Sequence, residues 1–440
     1  IAITVAFSEV VNVTGTPQLT LETGGSDAVV NYSSGTGSNT LTFNYTIGSG
    51  ETSADLDYES TSSLALNSGA IKDAALNAAT LTLASPGATN SLRANKYLIV
   101  DTTVPADFTV GSVITTGGTV TAGKWNSTNT GINVTVPLAD DATLIGGTLQ
   151  IQASVASGSY ENLGSAHTIA DGEENTNVTS SFSASTFEAL SGGISNGESI
   201  LFKAILTDKA GNAKLGTQSG TSIAFDQSAP AFSSLTPSTG SSVKVADVGY
   251  TLSEAIASGT VKYTRTGGSS DSGSPHTQNL SGAELNTGAR SLAALSSAPT
   301  LVDGATYTID FNGVDAAGNA ATQVSVTGIF FDTTVPADFT VGSVITTGGT
   351  VTAGKWNSTN TGINVTVPLA DDATLIGGTL QIQASVASGV YENLGSAHTI
   401  LIGELNADKT LSFNAATFEA LSGNLTNLEE IEFTAVITDK

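Results

Sequence analysis

Aspartates that recur at one place in a repeated pattern are the residues of this sequence best suited to chemistry. Asp101 and Asp332 each begin the stretch Asp-Thr-Thr-Val-Pro-Ala-Asp-Phe, and Asp226 begins a looser version, Asp-Gln-Ser-Ala-Pro. Each copy lies between two apolar, strand-like runs. Proline fixes φ and cannot donate to a β-ladder, so the stretch predicts a joint between two β-domains. A carboxylate that recurs at every joint is a candidate oxygen ligand for a divalent cation.

A second acidic motif, Asp-x-Ala-Gly-Asn, occurs at Asp208 and Asp315. A third copy at Asp73 has Leu76 where glycine is expected, and Asp439 begins a fourth. These residues suit a tight turn, because glycine and asparagine tolerate positive φ and aspartate bonds its own backbone. Two interpretations stay open: a plain turn, or a turn whose aspartate also binds a cation. Leu76 would strain a left-handed position, so its copy is expected to turn differently.

The chain contains a long internal repeat. Residues 101–169 and 332–400 are identical except for Ser159 in the first copy and Val390 in the second. Together with the joints, this repeat predicts four domains of two alternating types. Modules 1 and 4 are expected to be incomplete parts of a longer polypeptide. The predicted domains are module 1 (1–101), module 2 (102–226), module 3 (227–332) and module 4 (333–440, a repeat of 102–209).

Strand-like runs recur along the chain between clusters of Gly, Asn, Asp and Ser, which is typical of all-β proteins. In residues 148–155 the apolar side chains fall at every second position, which gives one face for a core and one for water. Helical periodicity is nearly absent, and 72–79 is predicted to be a turn despite its alanines. Each module is therefore predicted to be a small antiparallel β-sandwich.

Composition excludes several classes of function. The formal net charge is −25 and Lys and Arg total only 14, which argues against a nucleic-acid partner. Cysteine is absent, so there is no disulfide and no thiolate metal site. No apolar run approaches the ~18 residues of a membrane span, so no membrane insertion is predicted. The acidity serves solubility, or gathers carboxylates for divalent cations, and one does not exclude the other.

No catalytic constellation can be argued from the sequence. His167, His276 and His398 are isolated from any Ser-His-Asp pattern, and no carboxylate pair stands out as an acid and base. Glycine-rich loops lack the lysine of a phosphate cradle. Trp125 and Trp356 occupy one repeated position, where a packing role is favoured over stacking on a sugar. We therefore predict no enzyme and no catalytic residue.

The chain resembles the bacterial immunoglobulin-like repeats of very large surface proteins. The resemblance rests on the turns and joints above, and on Ser-Glu9, Asp55-Leu-Asp57 and Ser-Glu254. It implies a tandem array of immunoglobulin-like antiparallel β-sandwich domains at a cell surface. The layout is also similar to that of cadherin repeats, in which an early glutamate, a mid-module Asp-x-Asp and a linker aspartate converge on Ca²⁺.

Calcium is the cofactor that we expect at the joints. Ca²⁺ takes about 6–8 oxygen ligands, and carboxylates gathered at a joint repel each other unless they are protonated or bound to a cation. Modules 2 and 4 lack the Ser-Glu and have an acidic pair after Val-Pro-Leu-Ala instead. The candidate metal ligands are Glu9, Asp55, Asp57, Asp73, Asp101, Asp140, Asp141, Asp208, Asp226, Glu254, Asp315, Asp332, Asp371, Asp372 and Asp439.

The function expected from these features is structural and extracellular: a rod, filament or surface-layer component at the cell surface, stiffened by calcium at the joints. The expected partners are other copies of the same protein. The alternative is an adhesin that binds a glycan or protein partner through loops at the domain ends, with 267–274 of module 3 as the candidate loop. Open strand edges in incomplete modules would recruit a strand, from further sequence of the same polypeptide or from a neighbouring subunit.

Overall fold

The computed structural model describes residues 1–290, 295–421 and 425–440. The chain is a tandem array of immunoglobulin-like antiparallel β-sandwich domains, which confirms the predicted fold class. It divides into unit 1, Ile1–Ala229 with Asp315–Ala320, and unit 2, Pro230–Val314 with Ala321–Lys440. None of the helices in the described part is both long enough and apolar enough to cross a membrane.

Module 1, in unit 1, is built on a long first strand that serves two sheets. Residues 2–6 of this strand pair with one neighbour, a bulge follows, and residues 12–14 pair with another. The elements are β1 (Ala2–Thr14), β2 (Gln18–Leu21), β3 (Ala28–Ser34), β4 (Ser38–Asn44), β5 (Leu64–Ala65), β6 (Ala70–Lys72) and helix α1 (Leu92–Asn95). Their order is β5-β2-β3-β4-β1-β6, around a core that includes Leu41 and Phe43.

Module 2, also in unit 1, closes a core between two sheets. Its elements are β7 (Val113–Thr116), β8 (Lys124–Trp125), β9 (Gly131–Pro137), a 3₁₀ helix (Ala142–Leu144), β10 (Thr148–Val155), β11 (Glu161–Asn162), β12 (His167–Thr168), β13 (Asn177–Ser183), α2 (Ala184–Glu188), a 3₁₀ helix (Leu190–Gly192), β14 (Ser199–Thr207), β15 (Ala213–Leu215) and β16 (Ile223–Phe225). One sheet runs β11-β10-β14-β16-β8, with β12 beside β10 and β15 beside β14, and the other runs β13-β9-β7.

Strand β10 shows why the sequence folds this way. Leu149, Ile151 and Ala153 point into the core as the alternation predicts, while the residues between them are half-buried. Trp125 on β8 is 0% exposed and packs against Phe187, with ring centroids 4.5 Å apart and the rings tilted by 44°. Its role in module 2 is therefore packing, as predicted. The pairing of β8 with β16 is parallel, whereas the other named strand pairs of this module are antiparallel.

Module 3 belongs to unit 2 except for the segment Asp315–Ala320. Its elements are β17 (Phe232–Thr236), β18 (Ser242–Val243), β19 (Gly249–Leu252), β20 (Ser258–Gly268), β21 (His276–Asn279), a 3₁₀ helix (Gly282–Leu285), β22 (Gly288–Arg290), β23 (Ala305–Val314) and β24 (Val324–Phe331). The sheets run β17-β19-β22 and β18-β24-β23-β20-β21. Here too a short early strand, β18, pairs in parallel with the last strand, β24.

Module 4, in unit 2, repeats the first part of module 2. Its elements are β25 (Val344–Thr347), β26 (Gly362–Leu369), a 3₁₀ helix (Ala373–Leu375), β27 (Thr379–Val386), β28 (Glu392–Asn393), β29 (His398–Thr399), a 3₁₀ helix (Ile402–Glu404), β30 (Ala407–Asn414), α3 (Ala415–Glu419) and β31 (Ile431–Thr438). The sheets run β25-β26-β30 and β28-β27-β29, with β31 beside β27. Its hydrophobic core is separate from those of the other three modules, and the domain bounds stay a prediction.

The third copy of the Asp-x-Ala-Gly-Asn motif turns as the other two do. Leu76 adopts φ 72°, in the left-handed region in which Gly211 and Gly318 have φ 99°. The expectation that this copy would turn differently was therefore wrong. Leu76 is 75% exposed, so its side chain meets no packing obstacle, and the strain of a non-glycine residue at positive φ is tolerated.

Candidate metal centre and docking loop at the joints

The aspartate of each turn motif closes its own turn. Asp208 Oδ1 accepts the N–H groups of Gly211 at 2.8 Å and Asn212 at 2.9 Å, and its Oδ2 accepts Asn212 Nδ2 at 2.9 Å. Asp315 makes the same pattern and adds a bond from the N–H of Ala317 at 2.8 Å. Both aspartates are buried. Most of their acceptor capacity is therefore used within the turn, which is the plain-turn interpretation of the motif.

Asp73 makes the equivalent turn in a more exposed setting. Its carboxylate accepts the backbone N–H of Asn77 at 2.8 Å and Asn77 Nδ2 at 2.7 Å. These hydrogen bonds from Asn77 hold the pKa of Asp73 below its usual value. A carboxylate stabilised in this way stays ionised at neutral pH without any cation.

The asparagine of the turn ties it to the joint. Asn212 Nδ2 donates to the backbone carbonyl of Asp101 at 3.1 Å, and Asn319 Nδ2 donates to that of Asp226 at 2.9 Å. The side chains of Asp101, Asp226 and Asp332 are alike: each accepts the backbone N–H two residues later, at 2.9, 3.1 and 3.0 Å. Each joint aspartate thus commits one carboxylate oxygen to its own loop.

Asp226 and Asp315, which both belong to unit 1, are brought together. Their carboxylates offer oxygens within 4.8 Å of each other. Two carboxylates at this distance repel each other unless one is protonated or a cation lies between them. Asp226 is half-buried and uses only one side-chain oxygen in its loop. This pair is a partial oxygen shell of the kind that Ca²⁺ favours.

In unit 2, Asp332 is the centre of a second acidic group. Burial raises the pKa of Asp332, and the negative charges of Asp439, Asp303 and Asp372 raise it further. Asp332, Asp372 and Asp439 were candidates from the sequence, and here they act on one another. The ionised form of Asp332 is therefore destabilised in the folded chain, and a divalent cation would relieve that cost.

Asp303 was missed by the sequence analysis. Its Oδ1 accepts the backbone N–H of Thr333 at 2.6 Å and the Thr333 hydroxyl at 2.8 Å, and its Oδ2 accepts the Thr334 hydroxyl at 2.8 Å. The bond from the Thr333 N–H is the main reason that the pKa of Asp303 is lowered. The available signal was an Asp-Gly turn just before β23, the strand that leads to the turn at Asp315.

The acidic pairs of modules 2 and 4 serve as helix caps. Asp141 Oδ1 accepts the N–H of Thr143 at 2.9 Å, and Asp372 Oδ1 accepts that of Thr374 at 2.9 Å. These bonds cap the short 3₁₀ helices that follow. The first member of each pair, Asp140 or Asp371, is exposed. The pairs therefore have a structural role, and their role as metal ligands stays a prediction.

In module 1, Asp55 and Asp57 organise a loop. Asp55 forms an ion pair with Arg93 at 3.0 Å and accepts the N–H of Leu98 at 3.1 Å. Asp57 is buried and accepts three backbone N–H groups, those of Tyr58, Gly87 and Leu92. Such bonds satisfy a buried carboxylate fully.

The remaining candidates lie apart from this loop. Glu9 is exposed on β1, Glu254 is half-buried in the loop after β19, and Asp439 is half-buried at the end of β31. Within the described residues, no three acidic side chains of module 1 gather at ligand distance. The convergence of Glu9, Asp55 and Asp57 that the cadherin-like layout implies therefore stays a prediction without a geometric counterpart.

Each histidine pairs with one carboxylate. His167 Nε2 lies 2.8 Å from Glu173, His276 Nε2 lies 2.7 Å from Asp271, and His398 Nε2 lies 2.8 Å from Glu404. Asp271 also accepts the hydroxyl of Tyr307 at 2.8 Å. These pairs fasten loops to neighbouring strands.

A polar contact in unit 1 joins residues far apart in the sequence. Asn126 Nδ2 donates to the carbonyl of Ala317 at 2.8 Å. Asn319 Oδ1 accepts the N–H of Ser127 at 2.9 Å and the Ser127 hydroxyl at 2.8 Å. Asn126 and Asn319 are both 0% exposed. Loop 119–129 of module 2, called the docking loop below, therefore encloses the turn at Asp315–Ala320 with fully bonded polar groups. The sequence analysis did not predict this contact.

Comparison with known proteins gives distant similarity only. No protein-family profile matches the chain, and no curated protein matches it. The chain is similar to the FN1–FN3 domains of chicken CNTN1, with a TM-score of 0.27 and 11% identity over 76% of this chain and 99% of that one. A structure from a 1.5-MDa bacterial ice-binding adhesin, which concerns host cell surface retention, has a TM-score of 0.28 and 13% identity, over 77% and 98%. These similarities assign no residue of this chain to a site.

Proposed function

We propose that this chain is a structural, extracellular repeat protein that forms a rod, a filament or part of a surface layer, with calcium at its joints. The observation that carries the proposal is the electrostatic state of the joints. Asp332 has a raised pKa because burial and three neighbouring acids disfavour its charge, and Asp226 and Asp315 face each other within 4.8 Å. Carboxylates held this close are destabilised without a cation and stabilised by one.

Binding of calcium to the folded state alone would stabilise it by mass action. With a dissociation constant of about 1 mM, as in many extracellular modules, 10 mM Ca²⁺ adds about 1.4 kcal/mol. For a module of ~100 residues this corresponds to a rise in melting temperature of roughly 6–11 °C. The cation would also restrict movement at the joint. The particle would then become longer, or the distribution of its dimensions would become narrower.

The test uses the whole chain in Ca²⁺ and in chelator at equal ionic strength. Calorimetry should show the higher melting temperature in Ca²⁺, and small-angle scattering should show a changed distribution of dimensions. Magnesium at the same concentration is the control, because it demands stricter octahedral geometry. Equal melting curves and equal scattering with Ca²⁺ and with chelator would remove calcium from the account.

Asp332→Asn separates charge repulsion from ligation. The raised pKa means that ionisation of Asp332 costs stability as the pH rises above its usual value of 3.8. At pH 7 in chelator, the neutral variant should therefore unfold at a higher temperature than the parent chain. Addition of Ca²⁺ should raise the melting temperature of the variant by less than that of the parent chain, because the variant lacks one ligand. Asp171→Asn, at an exposed position of module 2, is the matched control and should leave both values unchanged.

The partners proposed are further copies of the same protein, and an adhesin is kept as the second candidate function. The observation that favours it is the order of loop 267–274 in module 3. Arg265 Nε donates to the carbonyl of Ser269 at 2.6 Å, and Asp271 is held by His276 and Tyr307. A preformed polar loop is a suitable surface for a glycan or a protein.

A glycan array with the whole chain tests the adhesin candidate. Hits that disappear when 269–273 is replaced by a glycine–serine link, while the melting temperature is kept, would support binding by this loop. An array without hits, or with hits that survive the replacement, would contradict binding by this loop and leave the structural role as the remaining candidate.

A further inference from the structure

The docking loop has a strict requirement for the turn that it encloses. Gly318 adopts φ 99°, and a Cβ atom there would lie 3.0 Å from Asn126 Nδ2, Thr119 Cγ2 and Thr121 Oγ1. Any other residue would therefore crowd these side chains by a few tenths of an ångström, in addition to straining the backbone. Gly211 has the same φ of 99° in the turn of module 2, but a Cβ atom there would meet nothing within 4 Å. The two turns have the same backbone conformation and differ in whether a loop covers them.

Module 4 carries a second copy of the docking loop at residues 350–360. Every residue from Thr119 to Asn129 is repeated there, because the two copies differ only at Ser159 and Val390. The internal bonds are kept: Asn357 Nδ2 donates to the carbonyl of Thr350 at 2.7 Å, as Asn126 Nδ2 does to that of Thr119. The loop at 350–360 is thus preformed, with the same donors in the same places.

The two copies differ in burial. Asn126 and Trp125 are both 0% exposed, whereas Asn357 and Trp356 are only half-buried. Within the described residues, the amide of Asn357 and the N–H of Ser358 have no counterpart of the bonds that Asn126 and Ser127 make to the enclosed turn. The surface that receives the turn in unit 1 is therefore open to another molecule or segment in module 4.

We propose that loop 350–360 is a docking site for an Asp-x-Ala-Gly-Asn turn of a further module of the 227–332 type. The carbonyl of the alanine would accept Asn357 Nδ2, and the asparagine Oδ1 would accept the N–H and hydroxyl of Ser358. The glycine decides which turns fit. A turn with leucine at that position, as at Leu76, would fit this loop poorly. Its Cβ would crowd the side chains of Asn357, Thr350 and Thr352, as a Cβ at Gly318 would crowd their counterparts in module 2.

This docking would determine which type of module can follow another along the array. Module 2 and module 4 carry the loop, and the turn with its crowded glycine belongs to module 3. A module of the first type therefore selects a module of the second type as its neighbour, through one buried and two partly buried hydrogen bonds that an incorrect neighbour would leave unmade. None of the five groups in these three hydrogen bonds is a carboxylate, but the turn that they hold is closed by Asp315, one of the candidate calcium ligands.

The test extends the whole chain beyond Lys440 with a copy of residues 210–332, the sequence that follows Lys209 in the first repeat. Amide hydrogen exchange is then followed at Ser127 and Ser358. In the unextended chain, Ser127 should exchange more slowly than Ser358. In the extended chain, Ser358 should slow by roughly tenfold, toward the rate of Ser127, since its N–H gains the partly buried hydrogen bond that the N–H of Ser127 makes.

Two matched glycine variants separate docking from folding. In the extended chain, alanine at the residue that copies Gly318 should return Ser358 to fast exchange. Alanine at the residue that copies Gly211 should not, because Gly211 has the same φ but open space around its Cβ position. Trp356 fluorescence reports that the appended strands have folded onto module 4 in both variants.

The proposal is overturned if Ser358 exchanges equally fast with and without the extension while Trp356 becomes buried. It is also overturned if the two glycine variants behave alike. Protection of Ser358 that appears in the unextended chain as its concentration rises would identify a second copy as the occupant, which contradicts the proposal as well.

Discussion

At the scale of single residues, aspartate does two jobs in this chain. Asp57, Asp208 and Asp315 accept two or three backbone N–H groups each and hold loops closed. Asp226 and Asp332 commit one oxygen to a loop and face other acids with the remainder. The first group stabilises the fold without a cation, and the second gives a cation something to neutralise.

These two jobs could not be separated from the sequence. Both place aspartate in a loop next to the end of a strand, so the candidate list contained caps and possible ligands together. Asp303 escaped because its partners, the joint threonines at 333 and 334, lie 30 and 31 positions away in the sequence. Hydrogen-bond demand, which decides the role, depends on burial and on neighbours that are distant in the chain.

Glu404 leads to a prediction of pH dependence. Burial by itself would raise its pKa, but hydrogen bonds from Lys409, His398 and the N–H of Leu401 prevail and lower it to about 2. A carboxyl whose folded pKa is depressed contributes stability above its unfolded value of 4.5, and this contribution is lost as the pH falls from 4.5 toward 2.

The measurement is the melting temperature of the parent chain and of Glu404→Gln between pH 2 and pH 7. The variant should be less stable at pH 7, and the difference should shrink below about pH 4.5. Glu430→Gln, at an exposed position of the same module, is the control and should track the parent chain. A difference that is independent of pH would mean that packing, and not the charge of Glu404, sets the effect.

At the scale of strands and sheets, the repeat offers matched positions in different surroundings. Phe202 on β14 is 0% exposed, whereas Phe433, its counterpart on β31, is half-buried. β14 pairs with β10, β15 and β16, and β31 pairs with β27. The same side chain thus contributes less to the core in module 4 than in module 2.

Phe202→Ala should cost about 3–5 kcal/mol in the free energy of unfolding of module 2, the range for a fully buried phenylalanine. Phe433→Ala should cost module 4 clearly less. Urea unfolding followed by fluorescence separates the modules, with Trp125 as the reporter in a Trp356→Phe background and Trp356 in the converse background. Equal losses at the two positions would contradict the difference in burial.

Strands were the most predictable elements. Alternation of apolar side chains in 148–155 predicted the strand that is observed at Thr148–Val155, with the expected face inside. The turn at 72–79 was also predicted, because its Asp and Asn matched the other copies. The docking loop was not predictable, because its partner residues lie 191 and 192 positions away and neither segment has a signature of its own.

At the scale of the whole molecule, the joints are not equivalent. The joint at Asp226 is tied to the turn at Asp315–Ala320, which the docking loop encloses. At the joint of Asp101, Thr102 Oγ1 accepts the N–H of Gly50 at 3.1 Å and donates to the carbonyl of Glu51 at 3.0 Å, without such a loop. The residues after the joint aspartate also alternate: Thr-Thr-Val-Pro follows Asp101 and Asp332, and Gln-Ser-Ala-Pro follows Asp226. The repeat predicted that alternation from the sequence, whereas the unequal joints required coordinates.

The parallel pairing of a short early strand with the last strand has a mechanical meaning. In module 2 the pair is β8 with β16, and in module 3 it is β18 with β24. A pull at both ends of a module acts first on β7 or β17, which precede these strands and pair antiparallel with β9 and β19. Once they have detached, β8 and β18 must slide lengthwise past β16 and β24, and the hydrogen bonds of each pair share the load. Antiparallel terminal strands would instead unzip bond by bond. A parallel pair loaded in this way resists in shear, which slows the forced unfolding of its module.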